Sequence, residues 1–195
     1  MLEIPARIYS QAVWDTIKYR TKEYRDIYRF DTQMEYPATV NEYSANMLRR
    51  IAFYFQPRVV AEVGTYIGRS TLALASGMGS GEIHTCDTGP QLCKHDKWEG
   101  VFIHHYHALS TDMLKAITKP VDLFFFDGRI QQPDLELIAK LAVPECVFLF
   151  DDFEGIEKGV ANALLAQQLG GILVLPERGE TLAMMTRTKI GLTRQ

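Results

Sequence analysis

Apolar runs closed by glycine, proline or an acid divide the chain into alternating strand-like and helix-like stretches. Val59-Val60-Ala61 is a short continuous apolar run that reads as a strand buried on both faces. Glu82–Cys86 predicts a second strand, ending at Asp87, and Val101–Tyr106 a third. Val121–Phe126 predicts a fourth, with three consecutive phenylalanines, and Cys146–Phe150 a fifth. Ile172–Leu175 and Leu182–Thr186 read as two last strands, joined by a hairpin turn over Pro176–Glu180.

Helical spacing fills the gaps. Met47, Leu48, Ile51, Tyr54 and Phe55 share one face of a helix that Pro57 stops. Thr39 with Glu42 spells a capping box and predicts its start. Ser70 and Thr71 open a helix after the first strand, which Gly77, Gly79 and Gly81 end. Further helices are predicted from Ser110 to Ile117, from Pro133 to Leu141, and from Phe153 to Leu169 before Gly170-Gly171. Upstream, Trp14, Ile17, Tyr24, Ile27 and Tyr28 fall near helical spacing, so residues 5–30 predict one or two amphipathic helices before a break at Pro37. Seven of the nine tyrosines precede residue 58, so this segment either packs on the core, covers a pocket as a lid, or forms a dimer surface.

The whole is a single α/β domain of 195 residues, with a helical extension over residues 1–36 and the main domain over 37–195. Hydrophobic residues make up 47% and charged residues 23%, an ordinary globular balance. A net charge of −3 supplies no basic surface for nucleic acid. No apolar run has the length of a membrane span. Cys86, Cys93 and Cys146 lack metal-ligand spacing and cannot all pair, which predicts a reducing compartment, the cytoplasm. His104 and His105 alternate across a strand and make a poor metal pair.

The chemistry gathers at strand ends. E-V-G-T-Y-I-G-R-S-T (Glu62–Thr71) is a strand, glycine turn, helix unit of the kind that wraps a nucleotide-like ligand. Its spacing fits neither G-x-G-x-x-G nor G-x-x-x-x-G-K-[ST], which disfavours a nicotinamide oxidoreductase and a P-loop protein. Asp87 closes the second strand, where Rossmann-like sites hold a ribose. Ala108-Leu109-Ser110 follows the third, and Ser110 is equally a helix N-cap. Asp127 ends the fourth strand, and Asp151 with Asp152 the fifth. Three carboxylates there either cap strands and bind loop amides, or hold a cation such as Mg²⁺.

The motif resembles motif I of class I S-adenosylmethionine (SAM) methyltransferases, in the form seen in the catechol and caffeoyl-CoA O-methyltransferase-like branch. The likeness runs over about residues 39–187. It implies a Rossmann-like fold with a seven-stranded mixed sheet, order 3-2-1-4-5-7-6. It implies Glu62, Gly64, Thr65, Tyr66, Gly68 and Ser70 as the methionine-side cradle, Asp87 on the ribose, and Ala108 and Ser110 near the adenine. It implies Asp127, Asp151 and Asp152 as Mg²⁺ ligands, with Asp127 catalytic, and a small hydroxylated molecule as methyl acceptor. One departure stands out. Relatives often carry a Lys or His just after the fourth-strand Asp as a candidate base, and here Arg129 and Ile130 stand there. Arginine stays protonated at neutral pH and is a poor base. That leaves three rivals open: Mg²⁺-assisted O-methyl transfer, metal-independent transfer to oxygen or nitrogen, and SAM binding without turnover.

Overall fold

The computed structural model describes residues 6–21, 39–90 and 92–186. The expected break at Pro37 and the aromatics Tyr24, Tyr28 and Phe30 lie outside the described residues. Among these residues the chain forms α1 (Ala6–Arg20), α2 (Glu42–Phe55), β1 (Val59–Val63), α3 (Arg69–Gly77), β2 (Gly81–Asp87), β3 (Lys97–Trp98), β4 (Val101–His107), α4 (Ser110–Ala116) and β5 (Val121–Phe126). Then come α5 (Asp134–Leu141), β6 (Ala142–Phe150), a π-turn (Ile156–Val160), α6 (Ala161–Ala166), a 3₁₀ turn (Gln167–Leu169), β7 (Ile172–Val174) and β8 (Ala183–Thr186).

One sheet carries all eight strands, in the order β3-β4-β2-β1-β5-β6-β8-β7. The seven expected strands stand in the expected order. The addition is β3, antiparallel to β4, cut from a stretch whose polar composition reads as loop. Helix α2 is capped by Asn41, not by a Thr39–Glu42 box: Asn41 Oδ1 accepts from the Ser44 amide at 2.7 Å, so the helix starts at Glu42. The helix expected over 153–169 is broken into π, α and 3₁₀ pieces, and β6 begins four residues before Cys146.

Both faces of the sheet are covered, which is why its central strands are apolar without alternation. Leu123, Phe125, Val147 and Leu149 meet the layer of α1, α2 and α3. Phe124, Phe126, Phe148 and Phe150 meet the layer of α4, α5 and α6. The rings of Phe124 and Phe148 stack at 5.4 Å between centroids, and those of Phe126 and Phe150 at 5.6 Å. Helix α1 belongs to the first layer: Trp14 and Ile17 are buried in it, and Trp14 Nε1 donates to the Leu175 carbonyl at 2.8 Å.

Trp14→Phe keeps most of the buried ring and removes that donor. The bond to the Leu175 carbonyl is then lost, at a cost of about 0.5–1.5 kcal/mol. Urea unfolding should show a lower midpoint with an unchanged slope; an unchanged midpoint would mean the bond contributes nothing.

Candidate functional site

The site follows from parallel register. Val63 pairs with Cys86 and with Phe126, and Phe126 pairs with Phe150. The next residue on each strand, Gly64, Asp87, Asp127 and Asp151, therefore stands in one row at the carboxyl edge, with strands about 4.8 Å apart. A cavity of about 410 Å³ opens there, a size suited to a small-molecule ligand. Gly64, Tyr66, Asp87, Ala108, Ser110 and Asp127 line it, as does Lys158.

The glycine turn fits tightly. Gly64 has φ +104°, and a Cβ there would sit 2.7 Å from the Gly128 nitrogen. Tyr66 follows with φ 44°, strained for a side chain of its size, and its amide donates to Asp87 Oδ2 at 2.8 Å. Asp87 Oδ1 accepts from the Gly89 amide at 2.8 Å. A carboxylate offers about four lone-pair positions, so Asp87 keeps acceptor capacity on the cavity side, as a ribose diol requires. These residues fit an adenosyl ligand.

Other members of the motif act from behind the wall. Glu62 is fully buried and accepts from Ser70 Oγ at 2.6 Å and from Thr71 Oγ1, tying β1 to the first turn of α3. Burial pushes its carboxyl up to about 7, against the pull of the Ser70 and Thr71 hydroxyls. Thr65 is buried on Thr85. Gly68 is the N-cap of α3, and a Cβ there would strike Cys93 Sγ at 2.2 Å, so its glycine makes room for a loop. Cys86 is on the cavity wall, but burial foremost, with Glu62 and Asp87 adding, pushes its thiol up to about 12, so it stays protonated.

Three supporting residues carry no local sequence signal. Buried Asp134 accepts from Ser110 Oγ at 2.7 Å, from Thr111 Oγ1 and from the Gln131 amide, which fixes Ser110 in the wall as the first residue of α4. Buried Asn162 accepts from the Ile130 amide and donates to the Gly128 carbonyl, holding the loop after β5. Lys158, in the π-turn, reaches back to the strand ends: its Nζ lies 2.6 Å from Asp127 Oδ1 and also bonds Asp152 Oδ2. Arg129 pairs at the surface with Glu157 at 3.4 Å.

This arrangement does not fit Mg²⁺. The ion needs oxygens converging at about 2.0–2.1 Å around it. Here the ammonium holds Asp127 and Asp152, while buried Asp151 accepts from Thr181 Oγ1 at 2.9 Å. Burial pushes Asp151 up to about 6, with the Asp127 charge adding. Burial also raises Asp127, and the Lys158 contact opposes that shift. Burial lowers Lys158, but its bonds to Asp127 and Asp152 outweigh that and hold it above the ordinary lysine range, so the ammonium is the stable form. Among the described residues, the one cluster of three converging metal-capable groups is Glu82, His84 and His104. It lies off this cavity, and Lys119 already holds Glu82 there at 2.6 Å.

Residues 61–153 match a family model described as a methyltransferase domain. No curated protein matches the chain by sequence. The fold is similar to that of an O-methyltransferase from Bacillus cereus in complex with S-adenosylhomocysteine (SAH), at 17% identity, TM-score 0.56 and coverage of 95% of this chain and 92% of that one. It is also similar to an SAH-bound methyltransferase from Podospora anserina, at 16% identity, TM-score 0.60 and coverage of 93% and 87%. A third is the SAM-bound O-methyltransferase TomG from Streptomyces achromogenes, at 16% identity, TM-score 0.52 and coverage of 95% and 98%. At these identities the likeness is one of fold, and with the family match it bears out the resemblance seen in Glu62–Thr71.

Glu62 sets a pH dependence. Its folded pKa, about 7, lies above the ordinary 4.5, so the native state binds that proton more tightly than the unfolded chain. Stability is therefore lost as pH rises from 4.5 to 7, by about 3 kcal/mol if Glu62 acts alone. Urea titrations on either side of that window should show a loss in the wild type that Glu62→Gln reduces. Parallel pH profiles for the two proteins would contradict the assignment.

Proposed function

We propose that this chain, with the fold and domain match of a methyltransferase, moves the methyl group of SAM to an oxygen of a small hydroxylated acceptor. The observation that carries the reading is the cavity at the strand ends, with the Gly64–Tyr66 turn and Asp87 on one wall and Asp127 with Lys158 on another. The first wall suits the adenosyl and methionine parts, with Asp87 on the ribose, and Ala108 and Ser110 beside the adenine. The second suits the acceptor.

The chemistry is a displacement. An acceptor oxygen forms the O–CH₃ bond as the C–S⁺ bond breaks, and SAH leaves with the electron pair. Asp127 Oδ1 is engaged by Lys158, which leaves Oδ2 to take the hydroxyl proton. The protein's part is to align the two reactants and exclude water. Helix α1 packs on the core, with Trp14 and Ile17 buried in it. The three buried thiols, Cys86, Cys93 and Cys146, suit a reducing compartment such as the cytoplasm. Among the described residues, no helix is long and apolar enough to cross a membrane.

Calorimetry with SAM, SAH and NAD tests the cofactor. SAM and SAH should bind and NAD should not; NAD heat without SAM heat would sink the reading. Asp87→Ala removes a charged acceptor worth about 1.5–3 kcal/mol and should weaken SAH about ten- to a hundredfold.

A further inference from the structure

The resemblance leads to a divalent cation at Asp127, Asp151 and Asp152, and the structure has a lysine there instead. Asp127 follows a strand whose interior is phenylalanine and leucine, so its mostly buried charge needs compensation, and the half-exposed Asp152 after the neighbouring strand adds a second negative charge beside it. Lys158 supplies it with one positive charge placed between the two carboxylates. The backbone supports that placement. Gly155–Val160 turns over the strand end, with the Gly155 amide donating to the Asp152 carbonyl at 3.0 Å. A Cβ on Gly159 would lie 2.2 Å from the Asp151 carbonyl oxygen, so only glycine lets the turn come this close. Asp152 itself takes a left-handed φ of 52°. The next residue before Gly159 is the lysine.

We infer that Lys158 is the resident cation of this site, that it takes the place of a divalent metal, and that it positions the acceptor oxygen. An ammonium has three N–H donors. Among the described residues two of them meet Asp127 and Asp152, and Lys158 lines the cavity. The third N–H is the donor left for an acceptor hydroxyl or oxyanion. The inference rests on the methyl-transfer reading for the identity of that acceptor, but the exclusion of metal does not.

Mn²⁺ is the probe, because its free and bound forms separate by electron paramagnetic resonance. The full chain is titrated with Mn²⁺ in the presence of SAH. The wild type and Lys158→Arg should leave Mn²⁺ free, and SAH affinity should be the same with chelator as with added Mg²⁺. Lys158→Met keeps the stem, removes the charge and exposes unpaired carboxylates. It should gain Mn²⁺ binding at least about tenfold over the wild type, and Asp152→Asn in that background should abolish the gain. Wild-type Mn²⁺ binding that Asp152→Asn removes would overturn the inference, and it needs only that single variant. A folded Lys158→Met protein that gains no Mn²⁺ binding would overturn it as well. Absence of SAH binding to the wild type is a separate failure, that of the methyltransferase reading.

Discussion

Parallel strands in register bring acids to one edge of an apolar sheet, and the site is built around the need to compensate them. β1, β2, β5 and β6 end together, so Gly64, Asp87, Asp127 and Asp151 arrive side by side. Each acid is answered differently. Asp87 takes backbone amides from Tyr66 and Gly89. Asp127 and Asp152 share the Lys158 ammonium, and Asp151 takes a hydroxyl from Thr181. Two backbone amides leave Asp87 acceptor positions to spare, while the ammonium between Asp127 and Asp152 stands where a metal would need to be.

The walls around this edge are braced by buried polar groups. Glu62 ties β1 to α3 through Ser70 and Thr71, Asp134 ties α4 to the loop before α5, and Asn162 ties α6 to the loop after β5. All three are close to fully buried. Removing one partner would leave a desolvated group unpaired, so these links fix geometry more than they add net stability.

Much of the fold was legible because its signals are local. Strand runs, the glycine turn and the hairpin over Pro176–Glu180 appear where the pattern puts them. The misses are also physical. β3 is two residues long and polar, so its pairing with β4 is decided by the partner strand alone. Asn41 caps α2 because its side chain reaches the Ser44 amide, a choice that Thr39 and Glu42 offered equally well on paper. The break at 156–160 depends on the contact of Gly159 with the Asp151 and Asp152 backbone, which a helical pattern cannot reveal.

The candidate site divides the same way. Residue type and spacing determine the cofactor wall, because a tight turn demands Gly64 and a strand end presents Asp87, both local properties of the chain. The amino-acid order alone also places Asp127, Asp151 and Asp152 at strand ends. What compensates them is a long-range matter. Lys158 is 31 residues from Asp127 in the chain, and nothing in its neighbourhood marks it as a site residue. Only the tertiary fold carries the π-turn back over the strand ends and sets an ammonium between two carboxylates, because packing density and the demand for charge balance act between segments that sequence keeps apart.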